Sequence, residues 1–361
     1  MNQLKQKISR RLERIKTMLR QRNRNPLDLF LYVIRLQYRR KFLFTEVHDY
    51  ELDIRGKAYE ESFLNCDEQK RYLEVLNPRK YYTLARNKFL THVLLDKVGI
   101  KNKATLICYY NPEMGITTHN ITRDLSQVIS VMKDSGITQF VIKTTESSHG
   151  DNVWVIKNII FKHNDAILER FDGKEILLSS ILKEEPLLFE TLVVQTDQMS
   201  SLNSSSVNTI RFMTTLFPNG EAKTIAAFIK IGRAGNCVDN AGSGGNVDGA
   251  VDIETGRIFN VIEFRGWRQN RPVKRHPDTN AEVENVMIEN WSEIRKKVEE
   301  YQKSIPFVKA AGWDIALTSE GPYVIEVNDM WDRTGQLFIG RGWKKEIKEC
   351  YDAWVNYYKK Q

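Results

Sequence analysis

The stretch GWDIALTSEGPYVIEVN, from Gly312 to Asn328, contains two apolar runs separated by Ser319-Glu320-Gly321. A three-residue turn that ends in glycine typically joins two antiparallel strands, because glycine adopts the left-handed conformation that its last position requires. Such a turn places Asp314 opposite Glu326. Because side chains alternate across a strand, we expect both carboxylates on one face together with Asn328. The opposite, core-facing side would carry Trp313, Ile315, Leu317, Ile325 and Val327.

The two opposed carboxylates of this hairpin predict a metal site. At a separation of roughly 5 Å they repel each other and destabilise the sheet. A bound cation removes that repulsion. Carboxylate and amide oxygens suit a hard ion, and a small donor set that leaves positions for water and phosphate favours magnesium over calcium. We therefore expect Asp314, Glu326 and Asn328 to bind Mg²⁺; the alternative is a solvated acidic face on an edge hairpin.

The length and composition of the chain indicate a soluble enzyme. With 361 residues it can form two or three subdomains with an ample core. No apolar run reaches about 18 residues and the N-terminus is highly charged, so we expect a cytoplasmic protein with no spanning helix and no signal peptide. The four cysteines lack metal-ligand spacing, which argues against zinc and against a disulfide framework. They are Cys66, Cys108, Cys237 and Cys350.

The positive charge is concentrated at the N-terminus. Residues 1–41 contain 13 Lys and Arg against Glu13 and Asp28, whereas the rest of the chain carries a small negative net charge. We interpret residues 1–41 as a basic helical appendage and expect no specific nucleic-acid partner, because the body is not basic. Oligomeric state cannot be read from these residues.

The appendage contains apolar residues at helical spacing, surrounded by cations. These residues are Leu4, Ile8, Leu12, Ile15 and Leu19. Such a helix can lie on an anionic membrane surface, at the inner face of the membrane, or pack on a partner or on the protein's own body. The apolar stretch from Leu27 to Tyr38 is too short to span a bilayer and suits a core or interfacial helix.

The remainder of the chain reads as α+β. A mixed region at 42–86 precedes a segment in which helices and strands alternate, and the second half is rich in strands and hairpins. This order favours α+β subdomains over antiparallel sheets rather than a doubly wound parallel fold. The predicted helices are 67–76, 87–98, 124–133, 281–301 and 344–358, and the predicted strands of the alternating segment are 104–109 and 139–143.

The segment from Phe140 to Lys157 is an apolar strand that ends at Lys143, a polar loop and a second apolar strand. Small polar loop residues allow backbone N–H groups to approach phosphate oxygens, and a lysine beside the loop adds positive charge. An ordinary hairpin with a surface lysine has the same pattern.

The segment from Val207 to Gly232 predicts a long hairpin. If Asn219-Gly220 forms a two-residue turn, Arg211 lies opposite Phe228 and diagonal to Lys230. Two cations on one strand face suit an anionic substrate, and the alternative is a solvated face. The opposite, core-facing side would carry Ile210, Phe212, Ile225, Ala227 and Ile229.

The segment from Arg233 to Gly256 is rich in glycine and matches neither the Walker phosphate loop nor the dinucleotide fingerprint. Its glycines and polar residues suit a mobile active-site loop, and equally a plain flexible excursion.

Together these segments resemble the ATP-grasp superfamily, in its sugar-transfer-associated branch related to α-L-glutamate ligases. The resemblance runs from about Asn87 to Asn328, and its most specific parts are SVNTIR at 206–211, the glycine-rich stretch at 232–245 and the Asp314, Glu326, Asn328 pattern. It implies two α+β subdomains that grip a nucleotide between antiparallel sheets. Residues 87–195 would form the N-terminal part, with phosphate loop and hinge, and 196–361 the C-terminal part, with the metal site.

The resemblance also implies roles for individual residues. Lys88 and Lys143 would contact phosphate, as would Ser148 and His149 in the loop; Glu190 would lie near the adenine amino group, with the backbone of Leu192 and Val193 reading the base. Arg211 and Arg233 would be catalytic, touching the γ-phosphate or a substrate carboxylate. A clear ribose-binding acid after the hinge is missing, and Gln195 and Asp197 are the candidate substitutes.

The activity implied is ATP- and Mg²⁺-dependent carboxylate–amine ligation through an acyl phosphate. The substrates would be an amine and a small-molecule or glycan carboxylate, for example attachment of an amino acid to a cell-surface polysaccharide or its precursor. Two alternatives stay open: a phosphotransferase acting on a sugar hydroxyl, and a non-enzymatic membrane- or nucleic-acid-binding protein led by residues 1–41.

Overall fold

The structure is a computed structural model that describes residues 2–114, 120–146, 152–183, 185–235 and 245–361. The helices in these residues are α1 Asn2–Arg20, α2 Pro26–Arg40, α3 Phe44–Asp49, α4 Lys57–Ser62, α5 Cys66–Leu76, α6 Thr83–Arg86, α7 Lys88–Lys97, α8 Leu125–Ser135, α9 Leu178–Ile181, α10 Asp197–Leu202, α11 Trp291–Ser304, α12 Gly335–Ile339 and α13 Lys344–Lys359, with a 3₁₀ helix at Arg79–Tyr81. The strands are β1 Leu106–Tyr110, β2 Ile121–Thr122, β3 Phe140–Thr144, β4 Val153–Phe161, β5 Ala166–Arg170, β6 Glu175–Leu177, β7 Leu187–Thr191, β8 Thr209–Leu216, β9 Ala222–Ile231, β10 Val247–Val251, β11 Ile258–Glu263, β12 Arg271–Pro272, β13 Ala310–Thr318 and β14 Gly321–Asn328.

The strands form two sheets. The first has the order β2-β1-β7-β3-β4-β5-β6 and the second the order β12-β11-β10-β9-β8-β13-β14. All pairs between these strands are antiparallel except β1 with β2. The expected α+β class with antiparallel sheets is therefore confirmed.

Apolar packing covers both faces of the second sheet. On one face, Phe212, Ile229 and Trp313 pack with α11 residues such as Trp291 and Val298. On the other face, the apolar side chains pack with α2, α5, α12 and α13. The first sheet has its own core, formed with α8. On the face of the second sheet that packs with α2, α5, α12 and α13, the charged side chains described below lie next to the apolar cluster.

Helix α2 packs into the body by one face. Asn25 caps its N-terminus by accepting a hydrogen bond from the Asp28 N–H, and Pro26 suits the first helical position, where no N–H partner is needed. Leu29, Val33 and Leu36 are buried in the core cluster. The stretch from Leu27 to Tyr38 was expected to form a core or interfacial helix, and this face of α2 lies in the core. The boundary at residue 41 stays a prediction.

The β13–β14 hairpin has the predicted pairing but not the predicted turn. Thr318 pairs with Gly321, so the turn is the two residues Ser319-Glu320, and a register shift then leaves Ile325 without a partner before Asp314 meets Glu326. The predicted opposition of the carboxylates is confirmed. The core position predicted for Ile325 is wrong, because the bulge turns this side chain toward a cavity.

The β8–β9 hairpin differs from prediction in the opposite sense. The Phe217 N–H donates a hydrogen bond to the Glu221 carbonyl, so the turn is the three residues 218–220, with Gly220 left-handed at φ 83°. A register shift beyond Met213 leaves Ile225 without a partner and restores Arg211 opposite Phe228, as predicted. Ile225 consequently packs in the cluster with α2 and α13 instead of beside Phe212, where the sequence placed it.

The helix predicted over 281–301 begins only at Trp291. Asn285 and Asn290 have left-handed backbone, and Arg257 forms a bridge with Met287, so tertiary pairing replaces the first ten residues of the expected helix. The predicted helix at 87–98 is confirmed as α7, with Asn87 as its cap. In the part of the chain that the structure describes, no helix is long and apolar enough to cross a membrane.

Candidate active site

A cavity of about 480 Å³ lies between the two sheets. Its walls come from β3, β4 and β7 of the first sheet, from α7, from the chain between 191 and 195, and from β8, β9, β13 and β14 of the second sheet. The volume is in the range of small-molecule sites. Most of the residues predicted to bind a nucleotide and a metal line the cavity and come from both halves of the chain: Lys88, Lys143, Glu190, Leu192, Val193, Asp314 and Glu326. Arg211 and Asn328 are not among the lining residues.

Asp314 is the most enclosed acid of this cavity. It is 4% exposed, and Arg211 donates to both its oxygens, from Nε at 2.6 Å and from Nη2 at 2.8 Å. Lys230 Nζ lies 3.0 Å from Oδ1. Burial by itself raises the pKa of Asp314, but Arg211 and Lys230 outweigh it and lower the pKa to about 2. Asp314 is therefore ionised at neutral pH and neutralised by two cations of the protein.

Glu326 is placed differently although it pairs with Asp314. Its Oε1 lies 3.3 Å from Lys88 Nζ, and its side chain is 32% exposed. Asn328, on the same strand, donates its amide nitrogen to the Gly312 carbonyl at 3.4 Å. Glu326 is thus a cavity carboxylate with access to solvent.

Lys88 owes its position to the start of α7. Asn87 caps this helix by accepting from the Leu90 N–H, and the Lys88 N–H donates to Thr145 O at 2.9 Å, which ties the helix end to the end of β3. A helix N-terminus carries partial positive charge, so it reinforces the lysine as a site for anions.

Two further cavity residues follow from α7 and were missed by the sequence prediction. His92 lies one turn after Lys88, and Lys103 Nζ lies 2.9 Å from His92 Nδ1 and 3.1 Å from Asp96. Burial lowers the pKa of both His92 and Lys103. The i, i+4 spacing of Lys88 and His92 is a sequence signal for a shared face; nothing comparable marks Lys103.

The first-sheet wall combines one ion pair with apolar surface. Lys143 Nζ lies 2.6 Å from Glu190 Oε2, and both side chains are largely buried. Val141, Val155 and Phe171 line the cavity beside them. The predicted hinge residues Leu192 and Val193 follow β7 and also line it, as does Gln195.

Arg233 is placed apart from the other predicted residues. It forms ion pairs with Asp278 at 2.6 Å and Glu263 at 3.2 Å, and it does not line the cavity as described. The Arg233 side chain lowers the pKa of Asp278 strongly. Its catalytic role stays a prediction. Ser148 and His149 lie outside the described residues.

Lys230 was recognised in the sequence only as a neighbour of Arg211 and not as a site residue. In the sheet, Lys230 pairs with Thr209 on β8 and with Asp248 on β10. Asp248 is fully buried. Asp248, Lys230, Arg211, Asp314 and Glu326 therefore form a charged row across five strands. The signal for Asp248 was strand alternation in NVDGAV, which the glycine content of the segment obscured.

The donor atoms fit Mg²⁺ in part. Among the described residues, no group of three His, Cys, Asp or Glu side chains is suited to hold a metal. Both oxygens of Asp314 already accept from cations, so charge balance alone does not require a metal, contrary to the repulsion argument. Glu326 and Asn328 remain as oxygen donors. Such a small set suits Mg²⁺, which commonly binds one or two carboxylates together with phosphate and water.

The solved structures similar to this chain include two ligases and a synthetase. The D-alanine–D-alanine ligase of Bacillus anthracis has 12% identity and a TM-score of 0.39 over 77% of this chain and 69% of that chain. Phosphoribosylamine–glycine ligase from Thermotoga maritima has 14% identity and a TM-score of 0.45 over 84% of this chain and 64% of that chain. N5-carboxyaminoimidazole ribonucleotide synthetase from Thermotoga maritima has 16% identity and a TM-score of 0.40 over 78% of this chain and 52% of that chain. The chain thus spans between about half and two thirds of the length of these proteins.

Comparison with curated proteins found no match. Residues 67–351 match the family described as sugar-transfer associated ATP-grasp, which is well over half of the chain. The two sheets with a charged cavity between them agree with the architecture expected from the sequence. The chain therefore belongs to the sugar-transfer-associated ATP-grasp family.

Proposed function

We propose that the protein is an ATP- and Mg²⁺-dependent carboxylate–amine ligase that acts through an acyl phosphate. One observation carries the proposal: in a member of the ATP-grasp family, a cavity between two sheets is lined by ion pairs of lysine with carboxylate from both sheets. Lys88 pairs with Glu326, Lys143 with Glu190, and Lys230 with Asp314. Arg211 also binds Asp314.

The nucleotide would use both walls of the cavity. Val141, Val155 and Phe171 offer apolar surface to a purine, and the backbone of Leu192 and Val193 offers hydrogen bonds to its edge. Lys88 and Lys143 would lie along the phosphates. Each of these lysines now faces a carboxylate, so phosphate binding exchanges one anionic partner for another.

Glu326 and Asn328 would hold Mg²⁺, which, when bound, would offset charge on the phosphate oxygens. Arg211 stays close to this point because Asp314 fixes its guanidinium through two hydrogen bonds. A fixed cation stabilises developing negative charge without having to reorganise during the reaction.

The reaction would run in two balanced steps. A carboxylate oxygen of the substrate attacks the γ-phosphorus of ATP, the bond to the bridging oxygen breaks, and ADP leaves with that electron pair. The nitrogen lone pair of an amine then attacks the acyl carbon; the carbon–oxygen bond breaks, phosphate leaves and the amine loses a proton. No nucleophile from the protein takes part.

The substrate class follows from the family description alone. Association with sugar transfer favours a glycan or glycan-precursor carboxylate, with an amino acid as a plausible amine. A cytoplasmic site, peripheral to the inner face of the membrane, would give access to such precursors.

Oxygen-18 labelling of the substrate carboxylate tests the proposal. Candidate carboxylates labelled in both oxygens are incubated with an amine, ATP and Mg²⁺, and the inorganic phosphate is analysed by mass spectrometry. Ligation through an acyl phosphate transfers one labelled oxygen to each phosphate released. Released phosphate without label, or a stable phosphorylated acceptor, would contradict the proposal.

A further inference from the structure

We propose that the outward apolar stripes of α2 and α1, which we call the basic docking face, bind the surface of an anionic lipid bilayer. The basic docking face consists of the exposed apolar residues Ile8, Leu12, Ile15, Leu27, Phe30, Leu31 and Tyr38 with the exposed cations Lys5, Lys7, Arg10, Arg20 and Arg39. This binding is independent of the reaction proposed above.

Helix α2 is apolar on two opposite faces. One face, with Leu29, Val33 and Leu36, is buried in the body. The exposed fractions on the other side are 66% for Leu27, 61% for Phe30 and 74% for Tyr38. At 100° per residue, the direction of this second stripe lies about 150° from the buried face. A helix that is apolar on both sides is ordinarily covered on both sides. In the described residues only one side of α2 is covered.

Helix α1 repeats this pattern. Residues 5–13 are exposed throughout, and Ile8 and Leu12 are 52% and 51% exposed. Ile15 continues the stripe one turn later, whereas Met18 packs in the core cluster. The helix is therefore anchored to the body at its C-terminal end and projects a narrow apolar stripe from the remainder.

The charge around these stripes selects the occupant. Residues 1–41 contain 13 basic residues and two acidic ones. Glu13 pairs with Lys16 at 2.8 Å, and Asp28 lies at the capped start of α2. Both helices also carry exposed cations: Lys5, Lys7, Arg10, Arg20 and Arg39. Apolar side chains within a strongly cationic surface match the acyl boundary and the anionic headgroups of one target, a lipid bilayer.

Other occupants fit less well. A second copy would bring two strongly positive surfaces into contact at short range, where like charges repel. A nucleic acid would satisfy the cations but would leave Phe30 and Leu31 exposed to water. Of these three occupants, a bilayer alone satisfies both components of the basic docking face.

Vesicle co-sedimentation of the full chain tests this inference. Vesicles of equal parts phosphatidylglycerol and phosphatidylcholine are compared with vesicles of phosphatidylcholine alone. The variant Phe30→Ser/Leu31→Ser removes exposed apolar surface, Lys7→Gln/Arg10→Gln removes exposed charge, and Leu177→Ser is the matched control, since Leu177 is 48% exposed on the other sheet. The two apolar substitutions should weaken binding at least about tenfold, because burial of each side chain contributes more than a tenfold factor.

We expect binding to the anionic vesicles only, weakened by both double variants and by added salt, and unchanged by Leu177→Ser. Equal binding by Phe30→Ser/Leu31→Ser and Leu177→Ser would overturn the proposal. So would absence of binding to anionic vesicles. Self-association without lipid that is lost in Phe30→Ser/Leu31→Ser would assign the face to a second copy and would likewise overturn it.

Discussion

Asp314 and Glu326 occupy paired positions of one hairpin but have different surroundings. Asp314 lies on β13, an interior strand between β8 and β14, and Arg211 of β8 and Lys230 of β9 between them reach both of its oxygens. Glu326 lies on β14 at the edge of the sheet, is about one third exposed and faces Lys88 at 3.3 Å. Position in the sheet, rather than residue type, therefore sets what each carboxylate can do.

The difference separates two roles that the sequence joined. Asp314 holds Arg211 and Lys230 in place, and its negative charge is already compensated. Glu326 retains the access that a ligand of an incoming metal–nucleotide needs. We infer that substitutions at Asp314 act mainly on the fold, and substitutions at Glu326 mainly on turnover.

The largest effect is expected for Asp314→Asn. The substitution leaves Arg211 and Lys230 buried without their anion, which in other proteins costs about 3–5 kcal/mol of unfolding free energy. Urea unfolding measures the loss. A free energy of unfolding within error of the wild type would show that the two cations find other partners, and that the fixed role assigned to Asp314 is wrong.

The second effect is expected for Glu326→Gln. ATP turnover should fall by about 10²–10³, as for other groups that stabilise charge in a transition state, while the free energy of unfolding changes by less than about 1 kcal/mol because the pair with Lys88 is partly exposed. Steady-state ADP formation and urea unfolding measure the two quantities. Glu320→Gln, in the turn of the same hairpin, is the control and should leave both unchanged. Full turnover in Glu326→Gln would refute the metal assignment.

The pairing of Asp314 with Glu326 could be predicted from the sequence, but the turn length and the bulge that produce this pairing could not. In both hairpins the predicted turn was one residue too long or too short, and a bulge restored the register. The bulges lie beside distant contacts: the N–H of Val324, next to Ile325, donates to the Asn102 carbonyl, Val324 forms a bridge with Lys103, and the Ile225 carbonyl accepts from Arg341. Sequence periodicity contains no information about such partners.

The same reason explains the other successes and misses. Helix α7 was predictable because its cap, periodicity and final glycine are local features. The pairing of Lys143 with Glu190 was not, since it depends on β3 lying beside β7. Lys103 reaches the cavity through long-range contacts, because its backbone bridges Val324 and its side chain contacts His92 and Asp96. Residues with family roles could thus be named from the sequence, but the oppositely charged side chains that pair with them in the fold could not.

A smaller effect is expected from acidification. The pKa of Asp314 is lowered to about 2 in the folded protein, below the ordinary value of 3.8, so its pairing stabilises the fold at pH values above about 4. As the pH falls from about 4 toward 2, this contribution, on the order of 2 kcal/mol, is lost. Urea unfolding at several pH values measures the slope. The slope of unfolding free energy against pH reports the protons taken up on unfolding, and in Asp314→Asn this uptake between pH 4 and 2 should be smaller by about one proton. An identical slope in both proteins would contradict the lowered pKa of Asp314.

The smallest effect on stability is expected for Lys88→Met. This variant removes the ion-pair partner of Glu326 and so tests whether Glu326, unlike Asp314, contributes little to stability. Removal of the lysine breaks one partly exposed ion pair, so the free energy of unfolding should change by less than about 1 kcal/mol. The KM for ATP should nevertheless rise, because Lys88 lies at a helix N-terminus facing the cavity. Lys97→Met, at the other end of α7, is the matched control and should leave KM unchanged. Should Lys88→Met lower stability as much as Asp314→Asn does, Glu326 would be as firmly fixed as Asp314, and the distinction between an interior anchor and an accessible edge ligand would fail.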